Sequence, residues 1–184
     1  MAGVTVAASV RQDDWAWVPL DFPAERWTSE QQWAHDVGDA LAGDVVDDRE
    51  RWRAMAATVA ALPVPSADVV ARVWHTAPGT GTLVVGHVRA ADDEGEDPGD
   101  LALVGLRTGV VQRMLGVEHP RLAAAFHSVG VGETQDGVAL GVLRWSGVAS
   151  GTRVTLEAMH PEPPRLARAS AAFAALFLAL GVDA

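Results

Sequence analysis

Cysteine and lysine are absent from all 184 residues. Without cysteine there are no disulfides, zinc–thiolate sites, iron–sulfur clusters or thiol nucleophiles. Without lysine there is no Schiff-base amine, no lysine base and no P-loop lysine, and all fourteen basic residues are arginine. Isoleucine, asparagine and tyrosine are missing too. Their codons, like those of lysine, begin with two A/T bases, so the gaps point to a GC-rich bacterial genome rather than to a chemical demand. Positive charge is scarce, and the net charge is −10. A nucleic-acid binder needs a basic stripe to displace phosphate counterions, and none occurs. An anionic membrane surface would repel the chain. The longest apolar stretch, Ala169 to Val182, is too short to span a bilayer. Met1 to Val10 lacks the basic segment and the apolar run of a signal peptide. Cytoplasmic residence is the expectation.

What the chain does have is apolar mass. At 49% hydrophobic residues it can build a core without metal or disulfide help. Its length suits a single domain over residues 1–184, burying roughly 70% of the surface of the unfolded chain.

The segment Trp15 to Leu20 reads as a first strand, confined to an edge by Pro19. Thr28 and Gln31 form a capping-box pattern before the helical stripe Trp33, Val37, Leu41, which Gly43 ends. A second helix is expected from Asp47, with Trp52, Met55, Ala56, Val59 and Leu62 on its buried face. The indoles of Trp33 and Trp52 read as core anchors. Val69 to Ala77 and Thr82 to Ala90 read as paired strands around the turn Pro78-Gly-Thr-Gly81. The acidic run Asp92 to Asp100 lacks the EF-hand pattern and reads as a solvated, mobile loop. Leu101 to Leu106 and Val110 to Leu115 are expected strands, and Pro120 to Ser128 fits either a short helix or a strand.

Asp136-Gly137 suits a two-residue type I′ turn. Such a turn pairs Val131 with Val142 and Gly132 with Gly141. Val129, Val131, Leu140 and Val142 then share one face. Gly130, Gly132 and Gly141 share the other, beside Leu143 and Trp145. Thr152 to Met159 follows as a strand with Val154, Leu156 and Ala158 on one side. Pro161 to Pro164 ends it, and Arg165 to Leu180 is an apolar helix suited to packing on the glycine face. The fold class expected is α+β: an antiparallel β-sheet meander with the two N-terminal helices and the C-terminal helix packed on it, an α/β/α sandwich.

No catalytic constellation occurs. Phe126-His-Ser-Val-Gly130 has phenylalanine where a nucleophile elbow needs glycine. His127 and Ser128, as strand neighbours, point to opposite faces. Glu133 and Glu157 are carboxylates that no spacing brings together. His75 and His87 belong to one expected hairpin; if Thr80 centres its turn, both imidazoles share a face and begin a metal site. A register change of one residue separates them.

The string Val138 to Trp145, then Arg153-Val-Thr-Leu-Glu157, a proline break and a closing apolar helix resembles the end of PsbP-like domains. The stretch Pro23 to Ala34, with Trp27 and Trp33, is similar to uncharacterised proteins of GC-rich actinobacteria. The resemblance implies an α/β/α sandwich and binding or assembly roles. The second helix departs from the simplest version of that domain, and no functional residue carries over.

The leading expectation is thus a non-catalytic binding or assembly protein, working through contact with another protein or with itself as a homodimer. Ala171, Ala175 and Leu178, on the back of the last helix, are its expected interface. The alternative is a small-molecule-binding protein or enzyme, with a pocket where Gly130, Gly132 and Gly141 leave room beneath Trp145. A further alternative is metal binding through His75 and His87. No cofactor is expected.

Overall fold

Apolar residues recurring at period two make sheet the larger part of the regular structure among the described residues. The computed structural model describes residues 4–6, 14–43, 45, 48–76 and 83–182. In chain order its elements are β1 (Val4–Val6), β2 (Trp15–Val18), α1 (Glu30–Ala42), α2 (Arg49–Ala60), β3 (Val69–His75), β4 (Val84–Asp92), α3 (Pro98–Leu101), β5 (Thr108–Gly116), β6 (Ala123–Glu133), β7 (Ala139–Ala149), β8 (Thr152–His160), α4 (Pro163–Ala179) and β9 (Leu180–Val182). Seven strands form one antiparallel sheet in the order β2-β3-β4-β8-β7-β6-β5. It is two meanders rather than one. After β4 the chain crosses to the far edge, then returns strand by strand until β8 pairs with β4. β1 and β9 form a separate antiparallel pair that the sequence did not signal.

α1 and α2 pack on one face of the β2–β4 part. Trp33, Ala34, Ala56, Val59 and Ala60 close over Val18, Trp74 and Val85. The cap lies one residue later than the pattern suggests: Ser29 Oγ accepts from Gln32 N–H, and Gln32 Oε1 accepts from Thr28 N–H. The two helices approach closely at Gly38, which lies against the Arg53 backbone, and Arg53 holds Asp39 with bonds of 2.6 and 2.7 Å. Asp47 and the turn at residues 78–81 lie outside the described residues; α2 begins after Asp48, and Leu62 lies beyond its end, 40% exposed. Arg72 is fully buried. It donates to the carbonyls of Leu62, Ala60 and Pro19, completing the C-terminal end of α2 with a cation.

α4 packs on the opposite face. Leu166, Ala169, Phe173, Leu176 and Phe177 meet Val73, Val84, Val88, Leu143, Trp145, Val154, Leu156 and Ala158. Gly86 makes this contact close, because a Cβ there would overlap the Phe173 ring. The last turn of α4 is capped from the loop between β5 and β6. His119 Nε2–H donates to Phe177 O (2.9 Å) while its Nδ1 accepts from two backbone N–H groups, and Arg121 donates to Ala179 O.

Three expectations need correction. Leu101 to Leu106 is not a strand. Asp97 caps Gly99 N–H and Pro98 opens α3, so the segment turns over the sheet instead. There Leu101 and Val104 offer their carbonyls to Arg144, which is buried and paired with Glu157 at 2.9 Å. This segment, not the N-terminal helices, lies behind β7 and β8.

The second correction concerns the hairpin of β6 and β7. Only Gly137 takes positive φ (81°), so a type I′ turn does not form. Gly137 N–H donates to Thr134 O, and Thr134 N–H to Val138 O. This is a three-residue loop with a left-handed glycine, one residue longer than expected. The register shifts with it: Val131 pairs with Gly141 and Gly130 with Val142. Gly141, Leu143 and Trp145 therefore share the α4 face with Val129 and Val131. Gly130 and Gly132 belong to the other face, with Leu140 and Val142.

The third concerns the histidines. His75 pairs with Val84 and Arg72 with His87, so odd positions meet even ones. His75 lies on the α4 face against Trp15 and Phe173. His87 is on the opposite face, paired across the strands with Glu157. The two imidazoles share no site.

Candidate functional site

α4 covers the sheet over β4, β8 and β7, and stops short of the β5 edge. An open trough remains between the first turns of α4 and the ribbon of β5 and β6. Its main hollow measures about 480 Å³. The floor is Val129, Val131, Gly141 and Leu143; Pro163, Leu166 and Ala167 form the helix wall; Gln112 and Arg113 form the strand wall. A second hollow of about 420 Å³ shares Val131 and Pro163 with the first and continues past Val110, Gly132 and Ala139.

Glycine helps to shape the floor. A Cβ on Gly141 would stand 3.2 Å from Leu166 and 3.3 Å from Pro163, where the helix wall comes down to the sheet. Gly130 and Gly132 border the hollows through their backbone. The expected pocket residues Gly130, Gly132 and Gly141 thus all line this region, although from two faces. Trp145 does not. It is buried beneath the trough, with its ring 4.4 Å from His127 and 6.2 Å from Phe173, both nearly parallel. Arg113 and His127 line the trough too, and sequence reading placed neither there. The cross-strand pairing of His127 with Trp145 follows only from the corrected register.

A β-bulge sets the polar end. The register of β5 against β6 slips between Val111 and Arg113. Beyond the slip, Arg113 faces Val129 and stands on the α4 side, where strict alternation from Val110 would have placed Gln112. Arg113 makes no ion pair or side-chain hydrogen bond with the described residues. His127 Nε2 is buried and has no partner among them. Burial first, and then the nearby Arg113 charge, hold His127 below its ordinary imidazole value.

Two other hollows are already satisfied by their own residues. One of about 510 Å³ lies between α1 and α2, where His35 and Arg53 both reach Asp39. The other, about 160 Å³, is ringed by Arg89, Arg144 and Arg153, which pair with Asp68, Glu157, Asp93 and Glu96. Ser128 and His127 point to opposite faces, so no hydroxyl–imidazole couple forms. Among the described residues no group of three or more histidines and carboxylates is placed to hold a metal ion.

The solution structure of cyanobacterial PsbP (CyanoP) from Synechocystis sp. PCC 6803 is similar to this chain, weakly and in fold. The identity is 12%, the match covers 64% of this chain and 76% of that one, and the TM-score is 0.43. No protein-family model matches the sequence, and no curated protein does. No helix among the described residues is long and apolar enough to cross a membrane.

Beside the trough, the expected interface residues lie open. Ala171 and Ala175 are exposed and Leu178 is 42% exposed. With Ala167 they make a stripe along the outer side of α4.

Proposed function

We propose that this chain is a non-catalytic binding or assembly protein that works by contact with another protein, a second copy of itself included, in the cytoplasm. The observation that carries the reading is the open back of α4. Ala167, Ala171, Ala175 and Leu178 recur at helical spacing, and none of them is covered. Small apolar side chains let a second helix approach closely and interdigitate. Light scattering after size exclusion at tens of micromolar tests the self-contact form. A dimeric wild type is expected, with Ala171→Arg and Leu178→Glu together giving a monomer of unchanged stability. A monomeric wild type removes the homodimer.

The trough favours a second reading, a small-molecule-binding protein. Its two joined hollows lie in the size range of ligand sites, with mostly apolar walls and a few polar groups at one end.

A further inference from the structure

We infer that the trough binds an elongated apolar monocarboxylate, of the medium-chain fatty acid class, with its carboxylate on Arg113 and its hydrocarbon body between β6 and α4. The inference rests on the small-molecule reading of the trough.

The charge is the first support. Arg53, Arg89, Arg107, Arg144, Arg153 and Arg165 each meet a carboxylate of this chain. Arg113 meets none among the described residues, a state it shares with Arg26, Arg49, Arg51, Arg72, Arg121 and Arg168. What sets it apart is its place: past the bulge it stands on the α4 side of an otherwise uncharged strand, at the end of an apolar trough. A guanidinium suits a carboxylate because its fork offers two parallel N–H donors.

The second support is the polar company at the same end. Gln112 and Ser170 line the hollow beside Arg113, and the His127 ring lines it too, with its Nε2 closed off from solvent.

The third is the shape and polarity of the rest. Beyond Val129, which faces Arg113, the walls are Val131, Leu143, Leu166 and Pro163, continuing past Val110. From Arg113 to Thr108 the strand runs about 16 Å, at roughly 3.3 Å per residue. That length takes an extended medium-chain tail. A phosphate would ask for more donors than one arginine and its neighbours provide.

Calorimetry on the full chain decides the matter, with three probes of one tail length used below their micelle concentrations: dodecanoate, dodecanol and dodecyltrimethylammonium. The expected result is one dodecanoate per chain, dodecanol about tenfold weaker or more, and no binding of the ammonium. Arg113→Ala, an exposed change, brings dodecanoate down to the affinity of dodecanol. Ala167→Trp, on the exposed helix wall, fills the trough and abolishes both. Equal affinities for dodecanoate and dodecanol, or an Arg113→Ala protein that binds as the wild type does, overturn the carboxylate inference and leave the trough as an apolar site. Failure of all three probes to bind overturns the small-molecule reading with it. Binding that survives Ala167→Trp places the ligand elsewhere and overturns the inference too.

Discussion

The two ends of the seven-stranded sheet are finished in opposite ways. At one end β3 and β4 are covered on both faces, by α1 and α2 on one side and α4 on the other, and their large apolar residues are buried except Val70. The edge beyond them, β2, has four residues and stops at Pro19. Short strands and proline blunt an edge. At the other end β5 has nine residues and no proline, and on the α4 side it leaves Thr108, Val110, Arg113 and Leu115 exposed. Glycine marks close contact at both ends: Gly86 admits the Phe173 ring on the α4 side, and Gly132 admits Leu106 on the other. Cohesion is concentrated at one end, and exposed surface at the other.

Four measurements sharpen or break this contrast. Phe173→Ala removes a fully buried ring that touches Trp15, Trp145 and His75, and should cost about 3–5 kcal/mol in urea unfolding. A loss under about 1 kcal/mol would mean that the covered end is not the stable one. Glu157→Gln, nearer the middle of the sheet, leaves the Arg144 charge buried without its counter-ion and should cost about 3 kcal/mol by the same assay.

The third concerns acid. Burial holds His75 and His87 below the ordinary imidazole value; for His87 the charges of Arg72 and Arg89 add to this, and Glu157 opposes it. The unfolded chain therefore takes up these protons first as pH falls below about 6.5. Stability is full above that pH and is lost as pH falls toward the lower folded values. His75→Phe, among aromatic neighbours, should flatten that slope in a series of unfolding curves; an unchanged slope would count against a neutral buried imidazole. The smallest effect is expected at the open end. Val110→Ser and Leu115→Ser should each shift stability by no more than about 0.5 kcal/mol, and a larger loss would show cover that the exposed strand does not have.

Much of the architecture was legible in the residues, because periodicity reports burial directly. The buried face of α4, from Leu166 to Phe177, and the Val154, Leu156, Ala158 side of β8 follow from spacing alone. Trp33 and Gly43 likewise stand where the helical pattern of α1 puts them. What spacing cannot supply is the length of a turn. Asp136-Gly137 permits two loops, and the choice between them moved every partner in the hairpin by one position. The same parity problem put His75 and His87 on opposite faces. The trough was half visible: its glycines were singled out, Arg113 was not, and His127 was weighed only as a neighbour of Ser128. One depends on a bulge and the other on cross-strand register, and neither leaves a mark on periodicity.

The slip in β5 absorbs one residue of surplus backbone at Gln112, which substitution cannot remove. Taking that residue out would straighten the ribbon and still leave Arg113 opposite Val129, because both flanks already keep step with β6. The edge strand thus tolerates an extra position locally, and neither of its halves has to turn over to accommodate it.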